Sequence, residues 1–236
     1  MNKRRDLKIP ERIENVREKC KALPIIKFKL DEILSHFETN MDAVRKQLIT
    51  AEELATGNKT DEAQYIWRSQ IVFCVSALDF YMHELVKYGL SQIFDRRWER
   101  TTGYNKLKVC MEHVEIIRNS PEAEWFSIFI NSLYSSSALG SYKSIKEQLK
   151  IIGIDINEVE HIAFTSIKRQ NEQKGCLENK LDTLWGRRNQ IAHQSDRMSE
   201  TAQVQSIDRK FVEDCISDIS KIVFAMNKLA IEKSTA

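Results

Sequence analysis

An all-α fold is what this sequence predicts, and three observations carry it. Apolar residues recur at three-four spacing along most of the chain, and no segment alternates at period two for long enough to make a sheet. Seven glycines and three prolines in 236 residues suit long helices better than the frequent turns of a β-sandwich. The stretch from Ile71 to Leu90 is apolar on nearly every side, as a helix buried at the centre of a bundle must be.

Taken in order, residues 1–23 are charged and weakly periodic, and Pro10 and Pro24 bracket one helix, Glu11–Leu23. Leu30, Ile33, Leu34, Phe37, Met41, Val44 and Leu48 then form a stripe that predicts a helix to about Ala55. It should stop at Thr56-Gly57, with the glycine in the left-handed cap. The stripe packs on the chain's own core or serves as a partner-binding face. Residues 1–57 read as an N-terminal helical extension packing on the core, and 58–236 as the main helical domain.

Asn58 to Asp61 supplies capping side chains for the next helix, Asp61–Phe94. Arg68, Asp79 and His83 are its polar exceptions. Arg68 and Asp79 share a face, and Asp79 and His83 stand four apart. The carboxylate therefore pairs within its own helix or reaches a basic residue on a neighbouring one. Asp95–Asn105 is a basic, aromatic loop, read either as a solvated connection or as a stacking surface for unpaired bases through Trp98 and Tyr104.

Lys106–Arg118 reads as a helix. Ser120 then caps the next one with Pro121 in its first position, ahead of the apolar run WFSIFINSLY. The segment from Ser135 to Gly140 is linker-like. Ser141–Ile152 reads as a helix ended by Gly153, and Asp155 to Glu158 as a capping box opening a helix to about Arg169. The loop NEQKG leads into a helix from about Cys176. A last helix, from Ser206 or Asp208, carries Phe211, Cys215, Ile219, Ile222, Met226 and Leu229 on one face.

The most informative stretch is Leu181–Arg197, LDTLWGRRNQIAHQSDR. Leu181, Leu184, Trp185, Ile191 and Ala192 fall on one helix face. Arg188 comes seven residues after Leu181 and so lies within roughly 20° of the same line. A guanidinium on an apolar stripe must be paired or face a cleft. Asn189 and His193, four apart, stack on one flank. Spacing alone also allows a plain helix end with a snorkelling arginine and a satisfied histidine.

Arg188-Asn189-x-x-x-His193 resembles the R-N-x(3)-H form of the R-x(4–6)-H signature of the HEPN superfamily (higher eukaryotes and prokaryotes nucleotide-binding). The longer string RRNQIAHQSD resembles the prokaryotic groups named after the RiboL-PSP operons. Trp67–Leu90 is similar to the long apolar helix that precedes the motif helix in those groups. The resemblance spans about residues 61 to 232. It implies a HEPN-type helical bundle with additional N-terminal helices, and a metal-independent ribonuclease acting in defence or as a toxin. It also implies a homodimer whose motifs meet across a two-fold axis. Arg188, His193 and Asn189 become the catalytic candidates, Asp79 their support through Arg188, and Arg187 and Arg197 the candidate RNA contacts. The expected partners are RNA, a second copy of the chain and an antitoxin or regulator.

Those residue types suffice for one reaction. A histidine near neutrality takes the 2′-hydroxyl proton of RNA or protonates the leaving 5′-oxygen. A guanidinium forks across two phosphate oxygens and stabilises the charge that builds there. Asn189 orients the imidazole or bonds the phosphate. Five residues of ideal helix set Arg188 and His193 about 140° apart, so one motif does not converge on one phosphate, whereas two motifs across a two-fold axis do.

Other chemistries find little support. There is no phosphate-binding glycine loop, no serine elbow and no H-x-x-x-H or H-E-x-x-H pair among the five histidines. No cofactor and no metal are expected. The net charge of +2 makes the whole molecule no electrostatic sponge for nucleic acid. Locally, residues 1–29 carry ten Lys/Arg against four Asp/Glu, and Arg96, Arg97 and Arg100 surround Trp98. Five scattered cysteines with no C-x-x-C pair read as buried thiols in a reducing compartment. No apolar run approaches a membrane span, and MNKRRDLKIP lacks the apolar core of a signal peptide. A cytoplasmic location without membrane contact is the resulting expectation. Two further readings stay open: a non-catalytic RNA- or nucleotide-binding module, and a helical interaction subunit docking through Leu30–Leu48.

Overall fold

The computed structural model describes residues 27–119, 122–135, 137–165, 175–198 and 200–235. The helix expected at Glu11–Leu23, the Ser120-Pro121 cap and the run to Arg169 fall on or extend into residues outside them. Eight α-helices are described: α1 Leu30–Thr56, α2 Thr60–Phe94, α3 Met111–Asn119, α4 Glu122–Tyr134, α5 Tyr142–Ile152, α6 Ile156–Phe164, α7 Cys176–Gln194 and α8 Arg209–Thr235. Extended pairing among the described residues is confined to one isolated bridge, Arg197 with Val204. The fold is all-α. No described helix is long and apolar enough to cross a membrane.

α2 is the axis. It buries residues on most of its circumference, from Ala63 to Ile93, because α1, α4, α5, α7 and α8 all pack against it. α1 runs back along α2 and buries Ile33, Phe37, Met41 and Val44 in the shared core. A buried Gln70 ties the two together by donating to the Val44 carbonyl at 2.8 Å. On the other side Tyr81 reaches Asn227 of α8 at 3.4 Å. The helix α8 starts where Asp208 accepts the Phe211 N–H at 2.8 Å.

Several local readings are corrected. The left-handed residue between α1 and α2 is Asn58 (φ 59°), while Gly57 has φ −83°; asparagine's short polar side chain tolerates that region. No side chain caps α2, whose first turn instead carries Asp61 and Glu62 against the helix dipole. The helix expected from Lys106 begins only at Met111, because a short 3-10 turn, Tyr104–Lys106, ends in extended backbone at Leu107 (φ −61°, ψ 131°). Trp98 is 4% exposed, with Lys233 5.4 Å above its ring. It is core and not a stacking platform for bases. At Asp155 the side chain caps α6 by accepting the Asn157 N–H at 2.9 Å.

α5 ends as expected on Gly153, at φ 76°. A Cβ there would also stand 3.0 Å from Thr101 Cγ2. Gly153→Ala is expected to lower stability by about 1–2 kcal/mol, the cost of a left-handed L-residue. Urea unfolding with an unchanged m-value checks it.

Candidate functional site

α7 buries only Leu177, Leu181 and Leu184, all in its first half. Its last two turns rise out of the core: Trp185 and Arg187 to Ile191 are half-buried, and Gly186, Ala192, His193 and Gln194 are exposed. Trp185 is seated by Gly140, where a Cβ would come within 2.8 Å of the indole. Arg188 continues this edge. Its guanidinium lies 5.4 Å over the Trp185 ring and donates to Asn189 Oδ1 at 3.0 Å.

Arg188 opens onto a cavity of about 380 Å³ that is also lined by Asp79, His83, Lys87, Tyr134 and Trp185. No carboxylate among the described residues pairs with it, and its Nε is buried without a hydrogen-bond partner. Asp79 faces the same cavity but makes other bonds. Its Oδ1 accepts the Leu139 N–H at 2.5 Å, and its Oδ2 lies 3.5 Å from His83 Nε2. The direct Asp79–Arg188 ion pair is therefore replaced by a pair within α2. The reason lies in the segment before α5, whose buried Leu139 and Gly140 strap against α2 and need an acceptor. Leu139 and Gly140, at the end of that segment, are packed structure and not a linker.

Burial alone would raise the Asp79 pKa. The hydrogen bond from His83 and those from the Leu139 and Gly140 N–H groups outweigh it and hold the carboxyl below its ordinary value.

His193 sits in the last turn of α7, exposed and without a hydrogen-bond partner among the described residues. It does not line the cavity that holds Arg188, as the angle between them on the helix requires. Asn189 lies between the two and bonds Arg188. Arg197 is exposed, its Nη1 donating to the Ala202 carbonyl at 2.7 Å. Arg187 departs from the expectation of a free RNA contact. Only 13% of its side chain is exposed, and it turns inward to Asp196 at 2.9 Å, with further bonds to Gln205 and the Ser206 carbonyl.

Asp196 is the residue the sequence reading missed. It is fully buried, and its Oδ2 takes Arg68 Nε at 2.7 Å as well as Arg187 Nη2. Arg68 goes on to the Gln205 carbonyl at 2.8 Å. Two successive left-handed residues, Ser195 (φ 51°) and Asp196 (φ 58°), end α7 and swing the carboxylate inward. Burial pulls the Arg187 pKa below its ordinary value, with Asp196 pushing back and Arg68 adding to the fall. The available signal was Arg68, a cation on a nearly all-apolar helix that had to find an acid.

Among the described residues no group of three or more His, Cys, Asp or Glu side chains is placed to hold a metal. Compared with known proteins, residues 29–232 match the family model described as RiboL-PSP-HEPN. No curated protein matches, and no solved structure does.

Two outcomes follow from this geometry. Asp196→Ala leaves two buried guanidiniums facing each other and is expected to cost about 3–5 kcal/mol, read by urea unfolding. Because folding depresses the Asp79 pKa, its carboxylate stabilises the fold above its unfolded value of 3.8, and that contribution is lost as pH falls through the lower folded value. The difference in melting temperature between wild type and Asp79→Asn should shrink as pH falls below about 4.

Proposed function

We propose, from the premise that the chain belongs to the RiboL-PSP-HEPN family, that it is a metal-independent endoribonuclease. The observation that carries this reading is Arg188: a guanidinium at the mouth of a cavity, braced by Trp185 and Asn189, with no carboxylate partner among the described residues. Such a group is ready to receive an anion, and its fork matches two non-bridging oxygens of a phosphodiester. His193 is the acid–base group. It takes the 2′-hydroxyl proton or protonates the leaving 5′-oxygen. The products are a 2′,3′-cyclic phosphate and a 5′-hydroxyl, and DNA, without the nucleophile, is left intact. Arg197, exposed beside the motif, is a candidate contact for the RNA backbone.

One chain holds Arg188 and His193 on different sides of α7, so the active unit is a homodimer pairing motifs across a two-fold axis. Support comes from exposed apolar side chains on α2 and towards the end of α1. Tyr65 is 71% exposed, Phe73 51% and Ile49 64%, and Tyr65 and Phe73 share one α2 face with Phe80 of the Arg188 cavity. The role is that of a defence or toxin effector, held in check by an antitoxin or regulatory partner.

A second reading, a non-catalytic RNA-binding module, is favoured by one observation: no group among the described residues of its own chain orients His193. Labelled RNA incubated with the protein in EDTA separates the two. Cleavage to 2′,3′-cyclic ends is expected, with His193→Ala and Arg188→Ala each about 10²-fold slower or worse at unchanged helicity. Activity per chain should fall on dilution below the dimer's dissociation constant. Binding without cleavage would leave the second reading, and full activity in either variant would remove the catalytic assignment.

A further inference from the structure

Cys110 has no part in that reaction, and its surroundings differ from those of the other described thiols. Cys74 and Cys215 are buried, and burial pushes the Cys74 thiol up to about 12 and raises Cys215 as well. Both stay protonated and inert. The half-buried Cys176 is also raised, by burial first. Cys110 is exposed and stands immediately before α3, its carbonyl accepting the His113 and Val114 N–H groups at 3.1 and 3.2 Å. Its Sγ lies 2.6 Å from His113 Nδ1, and His113 Nε2 lies 2.7 Å from Ser132 Oγ on α4.

One hydrogen-bond arrangement aims the imidazole at the thiol. Ser132 Oγ lies 2.8 Å from the Phe129 carbonyl; when its single hydroxyl hydrogen goes there, Ser132 Oγ accepts from His113, Nε2 carries the ring hydrogen and Nδ1 turns its lone pair to the thiol. The Phe129 ring, 5.1 Å away and edge-on at 85°, packs against the imidazole. Nucleophile, base and orienting group thus stand in one line, the arrangement by which a thiol is activated. Access is open, since the flanking Val109 and Met111 are 42% and 74% exposed.

We propose that Cys110 is a thiol-exchange site for low-molecular-weight disulfides, with His113 as its base. As Sγ attacks one sulfur of the disulfide, the thiol proton passes to His113 Nδ1. A new S–S bond forms to Cys110 and the old one breaks. The electron pair leaves on the departing sulfur, which takes the proton back from the imidazolium. One thiol and one disulfide become another of each, with no further oxidant. The exchange does not depend on RNA cleavage and stands or falls separately from it.

The test uses the full chain with oxidised glutathione at neutral pH, followed by acid quench and peptide mass mapping. The mixed disulfide is expected at Cys110 ahead of the other cysteines, Cys20 included. His113→Gln should slow it about tenfold or more, as loss of a general base does, and Ser132→Ala should slow it less. In denaturing urea all three proteins should react alike, because the relay exists only when folded. First modification at another cysteine overturns the proposal, as does a folded His113→Gln that reacts at the wild-type rate. Should His113→Gln lose helicity, Ser132→Ala decides, and a wild-type rate in it overturns the relay.

Discussion

A single buried carboxylate, Asp196, shared by Arg68 of α2 and Arg187 of α7, is the interaction on which the functional end of this molecule depends. Neither guanidinium would be tolerated inside the bundle alone, and together they would repel. The carboxylate resolves both problems at once. Each arginine then reaches past it to the returning chain, Arg68 to the Gln205 carbonyl and Arg187 to Gln205 and Ser206. The central helix, the motif helix and the loop that follows are thereby fixed relative to one another. The stretch bearing Asn189 and His193 needs no core of its own, because Arg187 just before it and Asp196 just after it set its position.

The same division of labour runs through the bundle. α2 is apolar around most of its surface because five other helices cover it, and its few polar groups each fasten one neighbour: Gln70 to α1, Asp79 to the strap before α5, Tyr81 to α8. The polar exceptions on a buried helix thus mark where other segments dock. His83 and Asp79, which share the Arg188 cavity, hold its wall in place through Ser137 and Leu139.

Helix existence and packing faces were legible in the sequence, since a three-four stripe reports burial directly. Gly153 and Asp155 were readable as helix-end residues because their local chemistry leaves few alternatives. What escaped was anything decided by a distant partner. Arg68 shares a face with Asp79 on its own helix, yet its acid lies 128 positions away at Asp196. Arg187 read as a candidate RNA contact, because adjacent residues on a helix point in different directions and only the fold says which points inward. Asn58, and not Gly57, takes the left-handed backbone, a choice set by how α1 and α2 must meet. Of the motif, the positions of Arg188 and His193 on separate sides of α7 followed from helix geometry alone.

The ends of helices are where a chain ordinarily frays, and the motif occupies such an end. Here the Arg187–Asp196 bond joins side chains nine positions apart, so the last turns of α7 form a closed ring with the motif inside it. Loosening cannot creep inward residue by residue from Gln194. It must open the ring in one step, giving up a buried ion pair as it does so. The residues proposed to handle RNA therefore share the cooperative unfolding of the central helix and do not behave as a separate, softer unit.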